Sequence, residues 1–164
     1  MVHDGANGYG GFASLIYNAD SQDQFRLVAQ TRHDFYQVPF DPNDPNTQGQ
    51  FLRDVNHESD SFATFSWVRT FSPGLMLTVS PFYHYNGANY ESSRADLPSS
   101  ATERRSSKYE GGQVAVSWVK ERNNLRAGLY GFAQQDNKFL ASFTMTTAVR
   151  RILIRLPWNI RLAA

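Results

Sequence analysis

Along most of the chain, apolar and polar residues alternate one for one, the period of a strand with two unlike faces. Six segments carry the pattern: Gly11–Asn18, Phe25–Tyr36, Asp60–Phe71, Leu75–Tyr85, Tyr109–Lys120 and Leu125–Gln134. In the second, Phe25, Leu27 and Ala29 share one face, and Arg26, Gln30, Arg32 and Asp34 the other. The third sets Ala63, Phe65 and Trp67 against Thr64 and Ser66. The fourth is the clearest, with Leu75, Leu77, Val79, Pro81, Tyr83 and Tyr85 opposite Thr78, Ser80 and His84. The fifth sets Val114, Val116 and Trp118 against Gln113 and Ser117. The sixth holds two competing parities: Leu125, Ala127 and Leu129 on one, Tyr130 and Phe132 on the other. A helical period fits none of the six.

The connections sharpen the picture. Ala19–Gln24, Ser72–Gly74 and Glu121–Asn124 are short and turn-like, whereas Gln37–Ser59 and Asn86–Lys108 each run to 23 residues. A polar exit, Gln134–Asn137, follows the sixth segment. Typical connections in compact domains are about 4–6 residues. Short turns at one end and long loops at the other are the arrangement of a barrel that crosses a membrane. The expected fold is therefore all-β, antiparallel up-and-down transmembrane β-barrel strands, about six of a larger barrel. The short connections would lie on the periplasmic rim and the long ones outside. Segments two to five reach the roughly 9–11 residues that a tilted transmembrane strand needs, against about 5–6 for common sandwich strands. Phe35, Tyr36, Phe71, Tyr83, Tyr85, Tyr109 and Trp118 fall where aromatic girdles would sit. The alternative is a soluble β-sandwich binding module, for example a carbohydrate-binding one with aromatics on its loops. A β-rich enzyme without a recognisable motif is the third reading.

Bulk composition agrees with either of the first two. Mean hydropathy is -0.49 and no apolar run is long enough for a helical span, yet 14% of residues are aromatic. Barrel strands show lipid only every second residue, so low hydropathy is compatible with them. The formal net charge of +1 hides an asymmetry: residues 1–142 carry 12 basic and 15 acidic side chains, a balance of −3. Nucleic acid is accordingly not an expected partner. Cysteine is absent, which removes disulfides and thiolate metal sites. The first residues lack the basic start and apolar core of a signal peptide. An outer-membrane protein needs one, so this reading expects the chain to be incomplete at its front.

Several stretches resemble barrel strands of TonB-dependent outer-membrane receptors. They are Asp23–Val28, the loop opening Tyr36–Pro42, Thr64–Val68 with the Ser72–Gly74 turn, Pro81–Asn86 and Leu125–Phe132. The likeness is to large, loop-rich, acidobacterial-type receptors and runs from about Gly11 to Leu140. It implies a 22-stranded barrel closed by an N-terminal plug. Such a receptor imports a scarce ligand (an iron chelate, cobalamin or an oligosaccharide) with energy relayed by TonB. No plug and no TonB box stand in this sequence, so the resemblance implies a fragment of the wall, inactive alone. The family's partners would be outer-membrane lipid and lipopolysaccharide, the plug and remaining strands, TonB through that plug, and the ligand. The matching stretches are strand and turn patterns, so no ligand-binding residue carries over.

Residues 143–164 differ in character. They hold Arg150, Arg151, Arg155 and Arg161, with no acid and no Gly. With permitted codon choices, a frame change within the Thr144 codon turns the same nucleotides into a polar loop, which points to a frameshifted or mis-bounded end. The alternative is a genuine amphipathic helix with Ile152, Leu153, Leu156 and Ile160 on one face.

Candidate chemistry is sparse. His3, His33, His57 and His84 have no metal-ligand spacing. Asp41–Thr47 gathers oxygen donors of the kind Ca²⁺ takes, but it lacks the bidentate Glu of an EF-hand, and its two Asx-Pro steps read first as turns. Gly8–Gly11 and Gly111-Gly112 are not phosphate loops; the first reads as the start of a strand and the second as a kink in a curved sheet. Arg104, Arg105 and Lys108 form a small basic cluster among Glu91, Asp96 and Glu103, solvated or touching lipopolysaccharide phosphates. No nucleophile motif is present. The chain is read as not an enzyme, with no catalytic, cofactor-binding or metal residue assigned, no cofactor, and ligand-binding residues unknown.

Overall fold

The computed structural model describes residues 3–41, 43, 53–93, 99–144, 150–155 and 159–163, with the backbone alone described at 99 and from 143 onward. The alternating segments become β1 (Ala6–Asn18), β2 (Asp23–Gln37), β3 (Val55–Ser72), β4 (Leu75–Glu91), β5 (Ser99–Lys120) and β6 (Asn123–Thr144). Two short strands follow, β7 (Arg150–Arg155) and β8 (Asn159–Ala163). All belong to one sheet, in which each of β1 to β7 lies beside its neighbour in sequence and every pairing is antiparallel. No helix occurs among the described residues.

The strands run further than the apolar alternation. Gln37 pairs with Val55, and Glu91 with Thr102. The two 23-residue loops expected from the sequence thus shrink to residues 38–54 and 92–98. Gln134–Asn137, expected as an exit, lies inside β6 opposite Ser106–Tyr109. In these outer stretches both faces are polar, so no alternation marks them. The backbone ladder needs only N–H and C=O groups and continues regardless of side-chain polarity.

β7 and β8 pair with the same edge of β6, Arg155 opposite Phe139 and Asn159 opposite Asp136. Arg155 and Asn159 are four positions apart and their partners on β6 three, so the register steps by one between the two strands. The described tail backbone is extended; the helix weighed for it is not what its backbone adopts.

The turns are tighter than the sequence suggested. Ser72 pairs with Leu75 across Pro73-Gly74, and a register shift at Thr70/Ser72 adds a bulge. A Cβ on Gly74 would lie 2.0 Å from the Val119 carbonyl oxygen, so only glycine fits there. Lys120 pairs with Asn123, leaving a two-residue hairpin in which Glu121 adopts a φ of 52°, the backbone that primed hairpin turns require. At the β1–β2 turn, Asp20 Oδ1 accepts hydrogen bonds from the Gln22 and Asp23 N–H groups, both at 2.7 Å. Those donors hold its carboxyl below the usual carboxylate range.

A core in the usual sense is missing. Among the described hydrophobic residues only Phe40 and Val68 are buried, and no side chain is fully enclosed. The accessible surface is 12182 Å², against roughly 8,200 Å² for a compact protein of this mass.

One packing feature compensates. A Cβ on Gly111 would lie 2.4 Å from the Gly131 carbonyl oxygen and 2.7 Å from Phe132 Cβ. The bare backbone there lets Phe82 on β4 and Tyr130 on β6 meet across β5, with centroids 5.8 Å apart and planes within 4°.

Two outcomes follow. Gly111→Val should destabilise the fold by about 1–3 kcal/mol, the usual cost of overpacking, read as a lower urea midpoint. The stability gap between the wild type and Asp20→Ala should be full above the ordinary carboxylate pKa. Because the folded pKa is depressed, that gap should narrow as pH falls through it, seen in urea midpoints across acidic pH.

Candidate functional site: an apolar band backed by a polar face

Register assigns every side chain to one of two faces. On the first lie Ala13, Leu15 and Tyr17 of β1, then Phe25, Leu27 and Ala29 of β2, and Ala63, Phe65 and Trp67 of β3. Leu75, Leu77, Val79, Pro81 and Tyr83 of β4 continue the row into Val114, Val116 and Trp118 of β5 and Leu125, Ala127 and Leu129 of β6. Two charged side chains stand in its rows, Glu110 opposite Tyr83 and Arg69 opposite Leu77. It is open to its surroundings: Leu129 is 82% exposed, and Leu15, Tyr17, Phe65, Val116, Trp118 and Leu125 are also exposed. The competing parities of the sixth segment are thereby resolved, with Leu125, Ala127 and Leu129 on the apolar face and Tyr130 and Phe132 behind it.

Aromatic side chains edge the band on the turn side. Tyr17 stacks on Phe25 at 6.5 Å, and Phe25 on Phe65 at 5.8 Å. Trp67 donates its indole N–H to Asp23 Oδ1 at 2.7 Å. Arg69 lies 3.4 Å from Asp23 Oδ2 and 5.5 Å over the Phe71 ring. Apolar rings thus point into the band while their polar handles and a paired charge sit at its edge. Of the expected girdle residues, Tyr83, Tyr85 and Trp118 share the band's face, as does Phe35 further out. Tyr36 and Tyr109 belong to the opposite face: Tyr36 donates to Glu58 Oε1 at 2.9 Å, and Tyr109 stacks on His84 at 5.6 Å.

That opposite face is more polar, with Phe12 and Ile16 of β1 and Met76 of β4 also exposed on it, and it carries a cluster the alternation did not reveal. Phe62, His84, Tyr109 and Gln134 stand directly opposite one another across β3 to β6. Phe62 meets His84 edge-on at 6.0 Å, and Phe132 lies 6.5 Å from Tyr109 and 5.9 Å from Tyr130. His84 Nε2 is 2.7 Å from Asp60 Oδ2. The signal in the sequence was the odd parity of large rings on neighbouring strands, with glycine in the strand between.

Outside the band the sheet hollows. The larger hollow, about 1510 Å³, opens on the polar face and is reached from all six long strands, from Gly8 on β1 to Lys138 on β6. A second, about 840 Å³, lies chiefly on the other face, among Tyr9, His33, His57, Tyr85 and Arg104.

The other residues singled out in the sequence are dispersed. His33 stacks on Tyr9 at 5.1 Å, His57 is tilted against Phe35 at 5.0 Å, and His3 Nε2 lies 3.0 Å from the Asp54 carbonyl. No metal-binding group of side chains occurs among the described residues. Asp41 Oδ1 accepts the Asn43 N–H at 2.9 Å, an Asx turn; Pro42 and residues 44–47 lie outside the described residues. The basic cluster divides between faces. Arg104 and Lys108 lie on the band's side, and Arg105 on the polar one, 3.2 Å from Glu103. Compared with known protein families, curated proteins and solved structures, the chain finds no match.

Proposed function

We propose that this chain forms part of the wall of an outer-membrane β-barrel, its apolar band against lipid and its polar face toward the lumen. The observation that carries the reading is the extent of that largely apolar band across six strands, with no described residue packed over it. A soluble sandwich would cover such a face with a second sheet about 10 Å away, and the described residues supply only one sheet. On β4 the band spans eight residue steps, about 27 Å along the strand, and on each of the other five strands four steps. Aromatic rings with polar handles at the edge suit the lipid headgroup level. The free outer edge of β1 favours a larger closed barrel, since open edges are not tolerated in lipid.

Together with the resemblance of its strand and turn patterns, this supports a TonB-dependent receptor that binds and imports a scarce ligand. Its activity would be binding and gated passage, not covalent chemistry. TonB would act through a plug carried elsewhere in the parent protein. The short turns would face the periplasm and the polar outer strands the medium.

Leu129 makes the reading testable because it is exposed and supports no packing. Leu129→Arg replaces a side chain that is 82% exposed. In a bilayer it should cost about 2–4 kcal/mol if it lies near the midplane, while Gln113→Arg, on the polar face, should cost little. The measurement is the partition of the chain between buffer and phospholipid vesicles, recovered by flotation. A wild-type chain that stays monomeric and melts cooperatively in plain buffer would overturn the proposal.

A further inference from the structure

We infer that the polar-face hollow and the ring cluster beneath it bind a neutral, hydroxyl-rich ligand, an oligosaccharide, in preference to an anionic iron chelate. The inference rests on the wall reading above and names the ligand class for its inner face.

Charge comes first. The hollow presents three cations, Arg32, Arg105 and Lys138, and four carboxylates, Asp34, Glu58, Asp60 and Asp136. Every cation already has an acid: Arg32 Nε lies 2.6 Å from Asp34 Oδ2, while Arg105 and Lys138 lie 3.2 Å and 2.9 Å from Glu103 Oε1. The remaining acids are occupied too. Asp60 holds His84, Glu58 accepts from Tyr36, and Asp136 accepts from Ser107 and Gln134. A polyanionic chelate would find only paired cations here, two of them sharing Glu103, among a larger number of carboxylates. Recognition of such anions relies on free, often bidentate, guanidinium groups.

Rings come second. The lowest row of the hollow, Asp60, Asn86, Ser107 and Asp136, sits directly above Phe62, His84, Tyr109 and Gln134 in the register. Phe82, Phe132 and Tyr130 follow below, and Tyr130 is 55% exposed. A track of rings flanked by Gln113, Gln134 and Asn86 matches a pyranose chain. Its axial C–H faces pack on aromatic surfaces, and its hydroxyls exchange hydrogen bonds with amides and carboxylates. The hollow also exceeds the roughly 300–1,000 Å³ of sites for small compounds, which suits an oligomer.

The test uses the full chain folded in detergent micelles, with maltohexaose and xylohexaose as neutral probes and iron(III) tris-catecholate and cyanocobalamin as competitors. Saturation-transfer NMR reports contact and a titration gives Kd. A hexaose should bind with little dependence on salt, since no ion pair forms with it. Tyr130→Ala should weaken binding about tenfold or more, Tyr130→Phe should largely preserve it, and Leu129→Ala, on the apolar band, should leave it unchanged. Far-UV circular dichroism checks that each variant keeps its sheet. Binding of the catecholate or cobalamin with no hexaose binding would overturn the inference, as would hexaose binding indifferent to Tyr130→Ala. Vesicle insertion without sugar binding removes the ligand class and leaves the wall reading. Sugar binding by a chain that is a monomer in plain buffer removes the wall reading and leaves the ligand class.

Discussion

With almost no buried core, the antiparallel hydrogen-bond ladder carries the order of this molecule. Each long strand pairs with the next through 13 to 22 residues, and backbones approach one another only between ladder neighbours. The ladder fixes spacing and direction and leaves both faces free. What those faces meet is then decided by residue parity alone, so one side is apolar over a broad band while the other keeps paired charges, amides and rings. A one-residue slip would exchange the two. The tight turns at Pro73-Gly74 and Glu121-Arg122 pin two hairpins against such slips.

Across the ladder, two devices stiffen an otherwise thin sheet. One is the ring cluster that Gly111 lets close over β5. The other is the edge set of Trp67, Asp23, Arg69 and Phe71, where a hydrogen bond, an ion pair and a cation–π contact converge on three neighbouring positions of β3 and one of β2. Aromatic and charge-assisted contacts of this kind contribute about 0.5–3 kcal/mol each. They act where no hydrophobic interior exists to do so. The same absence explains the large exposed surface and directs the functional reading toward whatever covers the band.

Sequence pattern made the inner halves of the strands legible because there one face is uniformly apolar; Leu75 through Tyr85 announces itself by period alone. It failed where that contrast vanished. From Asn86 to Glu91 and from Thr102 to Lys108 both parities are polar, so pairing is invisible until the strands are laid side by side. Girdle positions of Tyr36 and Tyr109 were misjudged because proximity to a strand end says nothing of face. The ring cluster was hidden for a related reason: Phe62, Tyr109 and Phe132 are far apart in sequence and become neighbours only through three successive registers. Charge pairing in the hollow is likewise a property of the register, since Glu103 meets Lys138 across two strands.

Because every strand leans only on its immediate neighbours, the sheet has no privileged number of strands. Energetically it behaves like a linear array, in which each hairpin adds its own ladder and its share of both faces. A hairpin could be gained or lost at an edge without reorganising what remains, and folding can advance outward from each tight turn with little chain entropy to overcome. The width of such a sheet becomes a quantity that evolution can change two strands at a time.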